Sequence, residues 1–261
     1  MQEINQNKPW ARHEFILVLN LYYKLPFGKL NRTTKEVKEL AKLLGRSDNS
    51  IALRLVNFAA CDPYIRETGR HGMMSGMKQC LPYWNEFVDN KEKLLFESEK
   101  ILAKLQGYTI EQKFKPYLED IEENFEGDDV LREVSIRVNQ AIFRDKILSN
   151  YNYKCAITGI DIPSLLVASH IIPWATNKME RLNPANGICL SSLYDTAFDK
   201  GYIGFTKNYE VRLSNKLLEN NYKKYFNMFF GPIDGVKISL PEEFKPNPTF
   251  LEWHMDNIFI R

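Results

Sequence analysis

Tyr151–Phe205 reads YNYKCAITGIDIPSLLVASHIIPWATNKMERLNPANGICLSSLYDTAFDKGYIGF, and the order of elements it implies decides the fold of the back half of the chain. Lys154–Thr158 and Leu165–Ser169 have the make-up of short strands around a turn at Gly159–Pro163. The second strand delivers His170. Pro173–Gly187, rich in Pro and Asn, reads as a loop carrying Asn186 near its end. Ser192–Lys200 reads as a short helix that carries Asp195 and Asp199. Further on, Tyr202–Phe205 and Glu210–Leu213 predict a hairpin, and upstream Val134–Asn150 predicts a helix.

Strand, turn, strand, His, loop, Asn and an acidic helix together give the outline of a ββα metal nuclease. Water is a poor nucleophile toward a phosphodiester at neutral pH. A neutral imidazole, with an ordinary pKa of ~6.5, can take its proton, and a strand end aims His170 rigidly. Asp195 and Asp199 lie four apart and so share one helix face. Two hard oxygen donors there suit Mg²⁺ or Mn²⁺ better than zinc, and such a cation stabilises charge that builds up on phosphate. Asn186 either holds the loop by hydrogen bonds to backbone or serves as a ligand. Taken singly, each residue has a blander reading. A His after an apolar strand is usually structural, and an Asp near a helix start is usually a cap or a solvated charge.

Outward from this stretch, the front half is patterned for helices. Trp10–Leu25 is densely apolar and is closed by Pro26 and Gly28. Thr34–Leu44 places Val37, Leu40, Ala41 and Leu44 at helical spacing, with Thr34 as cap and Gly45 as stop. Ser47 caps a further helix with Ile51, Leu55 and Phe58 on one face. Two short helices about a tight turn make a helix-turn-helix outline. Its second helix would offer Asn49, Arg54 and Asn57 to a major groove, with Arg46 at the turn; the alternative is a plain helical bundle. Leu94–Leu105 predicts one more helix. Charge supports a polyanionic partner: Lys8–Lys78 holds 13 Lys and Arg against 6 Asp and Glu. Glu111–Glu133 reverses this, with 3 against 9, and its acidic run Tyr117–Asp129, closing on a Gly-Asp-Asp turn signal, marks a linker.

No apolar run approaches the ~20 residues that span a bilayer, and MQEINQNKPW lacks the apolar centre of a secretion signal. The expected location is the cytoplasm, where Cys61, Cys80, Cys155 and Cys189 stay reduced. They form no C-x-x-C pair.

The phrases RVNQAIFRDKIL (137–148), CAITG (155–159), LLVASHIIPW (165–174), RLNPANGICLSSLYDTAFDKGYI (181–203) and FLEWHMDNIF (250–259) resemble the HNH endonuclease superfamily, most closely its restriction-type and defence branch. The resemblance implies His170 as general base, Asn186 at the family's Asn, and Asp195 where a metal-binding His is usual, with Asp199 one turn on. Ser169 stands where many members carry an Asp or His ligand. Of four positions that hold structural zinc in some relatives, only Cys155 keeps its Cys; Thr158, Ser191 and Tyr194 occupy the others. No structural zinc is therefore expected, and Cys155 and Cys189 should be buried. Arg137 and Gln140 lie in a matching phrase and either touch DNA or pack the helix. His13, His71 and His254 are expected to be structural, although His71, in a Gly- and Met-rich loop, could touch phosphate.

The resulting expectation is an α+β chain. A helical, helix-turn-helix-like DNA-binding domain spans 1–110, an acidic linker 111–133, and a ββα-metal HNH nuclease domain 134–261. Its substrate would be foreign double-stranded DNA and its cofactor a divalent cation, and palindromic target sites would suit a homodimer. One rival reading is a DNA-binding regulator with an inactive HNH-derived domain; a second is an RNA-directed or structure-specific nuclease.

Overall fold

The computed structural model describes residues 8–118 and 128–261. Part of the acidic linker, 119–127, and the start of MQEINQNKPW, 1–7, lie outside the described residues. The chain divides into two compact units, Met1–Asn139 and Gln140–Arg261.

The front unit is helical. α1 (Arg12–Lys24) opens where Glu14 Oε2 accepts the Ala11 N–H at 2.7 Å, and it closes just before Pro26, which disfavours helix in the residue ahead of it. Every residue from Glu14 to Tyr22 is buried, so α1 is a central helix covered on all sides. α2 (Lys35–Leu44) ends at Gly45, whose φ of +63° is one glycine adopts without steric cost. Arg46 N–H then donates to Ala41 O at 2.9 Å and seals the turn. Thr34 occupies the N-cap position of α2, but its hydroxyl donates to Lys29 O at 2.7 Å instead of capping. Ser47 does cap α3 (Asp48–Cys61), its Oγ accepting Ser50 N–H at 3.2 Å. α4 (Pro63–Glu67), α5 (Met77–Phe87) and α6 (Lys91–Leu105) follow, then the single turns α7 (Ile110–Lys113) and α8 (Lys115–Leu118). Val37, Ile51, Leu55, Phe58 and Phe87 are fully buried in the shared core. α9 (Asp128–Asn150) begins at Asp128, so Asp128 and Asp129 open a helix rather than a turn. The unit boundary falls inside α9.

The back unit builds on a hairpin. β1 (Leu166–His170) pairs antiparallel with β2 (Gly187–Ser191), in a register that sets His170 opposite Gly187. α10 (Ser192–Asp199) follows β2 directly and packs on both strands. The ββα order expected from sequence is present, but with different strands. Lys154–Thr158 forms no strand: Cys155 N–H bonds to Ile160 O and Ala156 N–H to Cys189 O, both at 2.8 Å, in a tight turn around Gly159. The missing strand is β2, whose five residues are all buried. It therefore lacks the polar alternation that identifies a half-exposed strand. β3 (Ile203–Phe205) and β4 (Val211–Leu213) form the expected second hairpin. α11 (Asn215–Leu218) and the terminal α12 (Pro248–Asn257) complete the unit. Phe143, Ile147, Ile171, Phe198, Phe205 and Leu251 anchor its core. Cys155 and Cys189 are buried as expected; Cys155 Sγ accepts Ser191 N–H at 3.2 Å. Among the described residues, no helix is long and apolar enough to cross a membrane.

Candidate active site

His170 is the last residue of β1, and its ring is fixed on three sides. Phe143 of α9 stacks on it with centroids 3.9 Å apart and planes 14° from parallel, and Trp174 meets it edge-on. This stack needs Gly187 opposite: a Cβ there would lie 2.7 Å from Ile147 Cγ1 and 2.8 Å from Phe143 Cζ. On the third side His170 Nε2 sits 2.9 Å from Arg181 O. A carbonyl only accepts, so the proton resides on Nε2 and the Nδ1 lone pair is the basic one. Burial holds the imidazole pKa below its ordinary value; the Arg181 carbonyl opposes this and the Arg181 charge adds to it. The ring is thus a neutral base near pH 7.

Asn186 is fully buried and both ends of its amide bond to backbone. Oδ1 accepts Ile172 N–H at 2.8 Å, while Nδ2 donates to Ile172 O at 3.1 Å and to Glu180 O at 3.2 Å. Of the two roles open to Asn186, this geometry performs the first: it pins the segment after His170 to the segment that supplies Arg181 O. Arg181 is itself braced, with Nε donating to Trp174 O at 2.6 Å and the guanidinium over the Trp174 ring. Arg144 ties α9 to β1 through Leu166 O at 2.7 Å. Phe143, Trp174 and the Arg181 carbonyl were missed from sequence. Their roles come from positions close in space and carry no local pattern.

Asp195 and Asp199 lie one turn apart on α10. Partial burial raises the Asp195 pKa, opposed by the nearby Ser169 hydroxyl. Asp199, exposed over part of its surface, is pushed up to about 6, by burial first and by the Asp195 charge second. Two half-buried carboxylates, one raising the proton affinity of the other, suit a divalent cation, which would offset their charge. The donor set is short, however. The Ser169 hydroxyl is a weak ligand, and no group of three or more His, Cys, Asp or Glu gathers around a cation position among the described residues. Water and phosphate oxygens would have to supply the rest.

The front-unit residues expected to read DNA need correction. Arg46, Arg54 and Asn57 are buried, at 6%, 8% and 2% exposure. The helical wheel gives the reason: Arg54 falls in the stripe of Ile51, Leu55 and Phe58 at i, i+3, i+4 and i+7. Arg46 forms a buried pair with Glu14, Nε to Oε1 and Nη2 to Oε2, both at 2.8 Å. The Arg46 and Arg54 guanidiniums each stand 4.6 Å from the centroid of the Trp10 ring. Asn57 Nδ2 donates to Met73 O at 2.9 Å and holds the loop after α4. Of the four, Asn49 alone is exposed. Arg137 pairs with Glu133 along α9, while Gln140 is exposed. His254 is buried, stacked on Phe198 with Nε2 3.1 Å from Phe198 O.

A hairpin whose first strand ends in an oriented histidine and whose second runs into a helix bearing acidic residues has the ββα order of a nuclease-type domain. Residues 155–206, within the back unit, match the HNH endonuclease family. None of the curated proteins compared with the chain matches it.

Proposed function

We propose that the back unit is a divalent-cation-dependent endonuclease that cuts double-stranded DNA. The observation that carries this reading is the His170 ring, locked with its proton on Nε2 and its basic Nδ1 left for a substrate water. The match to the HNH family supports it. In this mechanism His170 Nδ1 takes the proton as water attacks phosphorus, and the leaving oxygen picks up a proton from solvent. Asp195 and Asp199 would hold Mg²⁺ or Mn²⁺, which supplies Lewis-acid stabilisation of charge on the phosphate. Asn186 acts as a positioning residue through Ile172 and Glu180.

The front unit binds DNA in this proposal, but not through the buried arginines. The exposed candidates are Asn49 on α3, Arg66 on α4 and the loop after α4 bearing Arg70 and His71. That loop is docked on α3 by Met73 N–H to Val56 O at 3.1 Å and by the Asn57 amide. The biological role we propose is restriction of foreign DNA in the cytoplasm, by a homodimer. The separation into a binding domain over 1–110, an acidic linker over 111–133 and a nuclease domain over 134–261 belongs to the same proposal.

Nicking of supercoiled plasmid in Mg²⁺ or Mn²⁺ provides the test. His170→Ala should reduce the rate ~10²-fold or more, and Asp195→Asn/Asp199→Asn should abolish it. Equal nicking by wild type and His170→Ala would remove His170 from the chemistry. A second reading, a DNA-binding regulator with an inactive nuclease domain, draws on Ser169 and the short donor set. Duplex binding by wild type without any nicking would establish that reading instead.

A further inference from the structure

Tyr222–Phe229 lies outside the stretch matched by the HNH family and presents an unusual surface. Leu218, Tyr222, Tyr225, Met228 and Phe229 are all exposed, Tyr222 at 70% and Met228 at 57%. Large apolar side chains gathered at this density mark an interaction face. Between them stand Lys223 and Lys224, also exposed, and from Leu218 to Phe229 the one carboxylate is Glu219.

The segment is not a loose loop. Phe226 and Phe230 are buried in the back-unit core, and Phe226–Phe230 forms one wide helical turn of the π type. Such turns are frequent at functional sites. The decisive link is to α10: Tyr194 Oη donates to Phe229 O at 2.7 Å, and the Tyr194 ring packs edge-on against Phe230. Tyr194 directly precedes Asp195. The exposed segment is therefore fastened to the helix that carries the acidic pair.

We propose that Tyr222–Phe229 is a duplex-DNA docking element beside the cutting site, with Lys223 and Lys224 on backbone phosphates and Met228 and Phe229 against the bases. This deepens the nuclease reading above and rests on it. Aromatic and thioether side chains offer flat or pliable apolar surface to bases and wedge between base steps. Lysines among them neutralise phosphates, and two lysines against the single Glu219 leave the face positive toward a polyanion. A second copy of this chain would bury the same apolar side chains, but it would also bring four lysines to one interface with only Glu219 of each copy on the same face to pair them.

The experiment uses the full chain and a fluorescent duplex in Ca²⁺, with binding followed by anisotropy across a salt series. Lys223→Gln/Lys224→Gln should weaken binding and lower the slope of log Kobs against log[salt] by about 1.8, for two phosphate contacts at ~0.9 each. Met228→Ser/Phe229→Ser should weaken binding about tenfold with the slope unchanged. That variant should also lose the fluorescence response of a 2-aminopurine placed near the cut. Both pairs are exposed, and thermal melting by circular dichroism verifies that the fold survives. Wild-type affinity and slope in both variants, with wild type still binding and nicking, would overturn this inference and leave the nuclease reading standing. So would unchanged DNA affinity with a shift from dimer to monomer in light scattering, which would assign the face to a second copy. A wild-type chain with no affinity for duplex would sink both.

Discussion

Breaking the buried Glu14–Arg46 pair tests the main correction to the sequence reading. Arg46 donates to both Glu14 oxygens at 2.8 Å, to Lys8 O at 2.8 Å and to Pro9 O at 3.0 Å. Both side chains are about 95% buried. Burial alone would raise the Glu14 pKa; hydrogen bonds from Arg46 and Ala11 and the Arg46 charge reverse this and hold it below the ordinary value. Arg46→Met keeps volume but strands a carboxylate, a loss of ~3–5 kcal/mol. Glu14→Gln keeps an acceptor for Ala11 N–H but strands the guanidinium, at a similar cost. The double variant strands neither charge and should lose much less than the sum, giving a coupling of at least ~2 kcal/mol. Urea unfolding of the three variants, with DNA affinity measured on each, supplies the numbers. An Arg46→Met protein with wild-type stability and sharply reduced DNA affinity would show that Arg46 faces DNA, and the buried-pair account would be wrong.

Gly187→Ala should destabilise the back unit by ~1–3 kcal/mol through overpacking against Ile147 and Phe143. It should also slow plasmid nicking by displacing the ring that supports His170; unchanged nicking would mean that the stack does not matter to the chemistry. Asn186→Ala leaves Ile172 N–H unpaired and should cost ~1–3 kcal/mol. It should reduce nicking without changing Mn²⁺ affinity by calorimetry, and a lost Mn²⁺ signal would make Asn186 a ligand instead. His254 has its pKa lowered to about 4 by burial, partly opposed by its bond to Phe198 O, and its buried Nδ1 has no partner. The unfolded chain therefore binds the proton more readily between pH ~6.5 and ~4. Stability present above pH ~6.5 is lost as pH falls through that window, by up to ~3 kcal/mol. His254→Phe should flatten that part of the urea-unfolding profile, and an unaltered slope would refute the assignment.

Much of the site was legible because its signals are local. The strand that ends at His170, Asn186 at a loop end, and two aspartates one turn apart are spacings along the chain, and the structure keeps each on its element. The helices around Ile51, Leu55 and Phe58, the Gly45 stop and the Ser47 cap were equally readable, since capping and helical periodicity act over four residues or fewer.

Tertiary structure decided what depends on distant partners. β2 has no alternation because both its faces are covered, so only its register against β1 reveals it as a strand. The Nε2 proton of His170 is set by the Arg181 carbonyl, eleven residues away. Arg46 and Arg54 look like DNA readers when charge is taken as a sign of exposure. Glu14, thirty-two residues upstream of Arg46, and the Trp10 ring supply partners that let both cations stay inside. A sequence lists charges and periods, but the free energy of burying a charge depends on what lies across from it, and that is fixed only when the chain has folded.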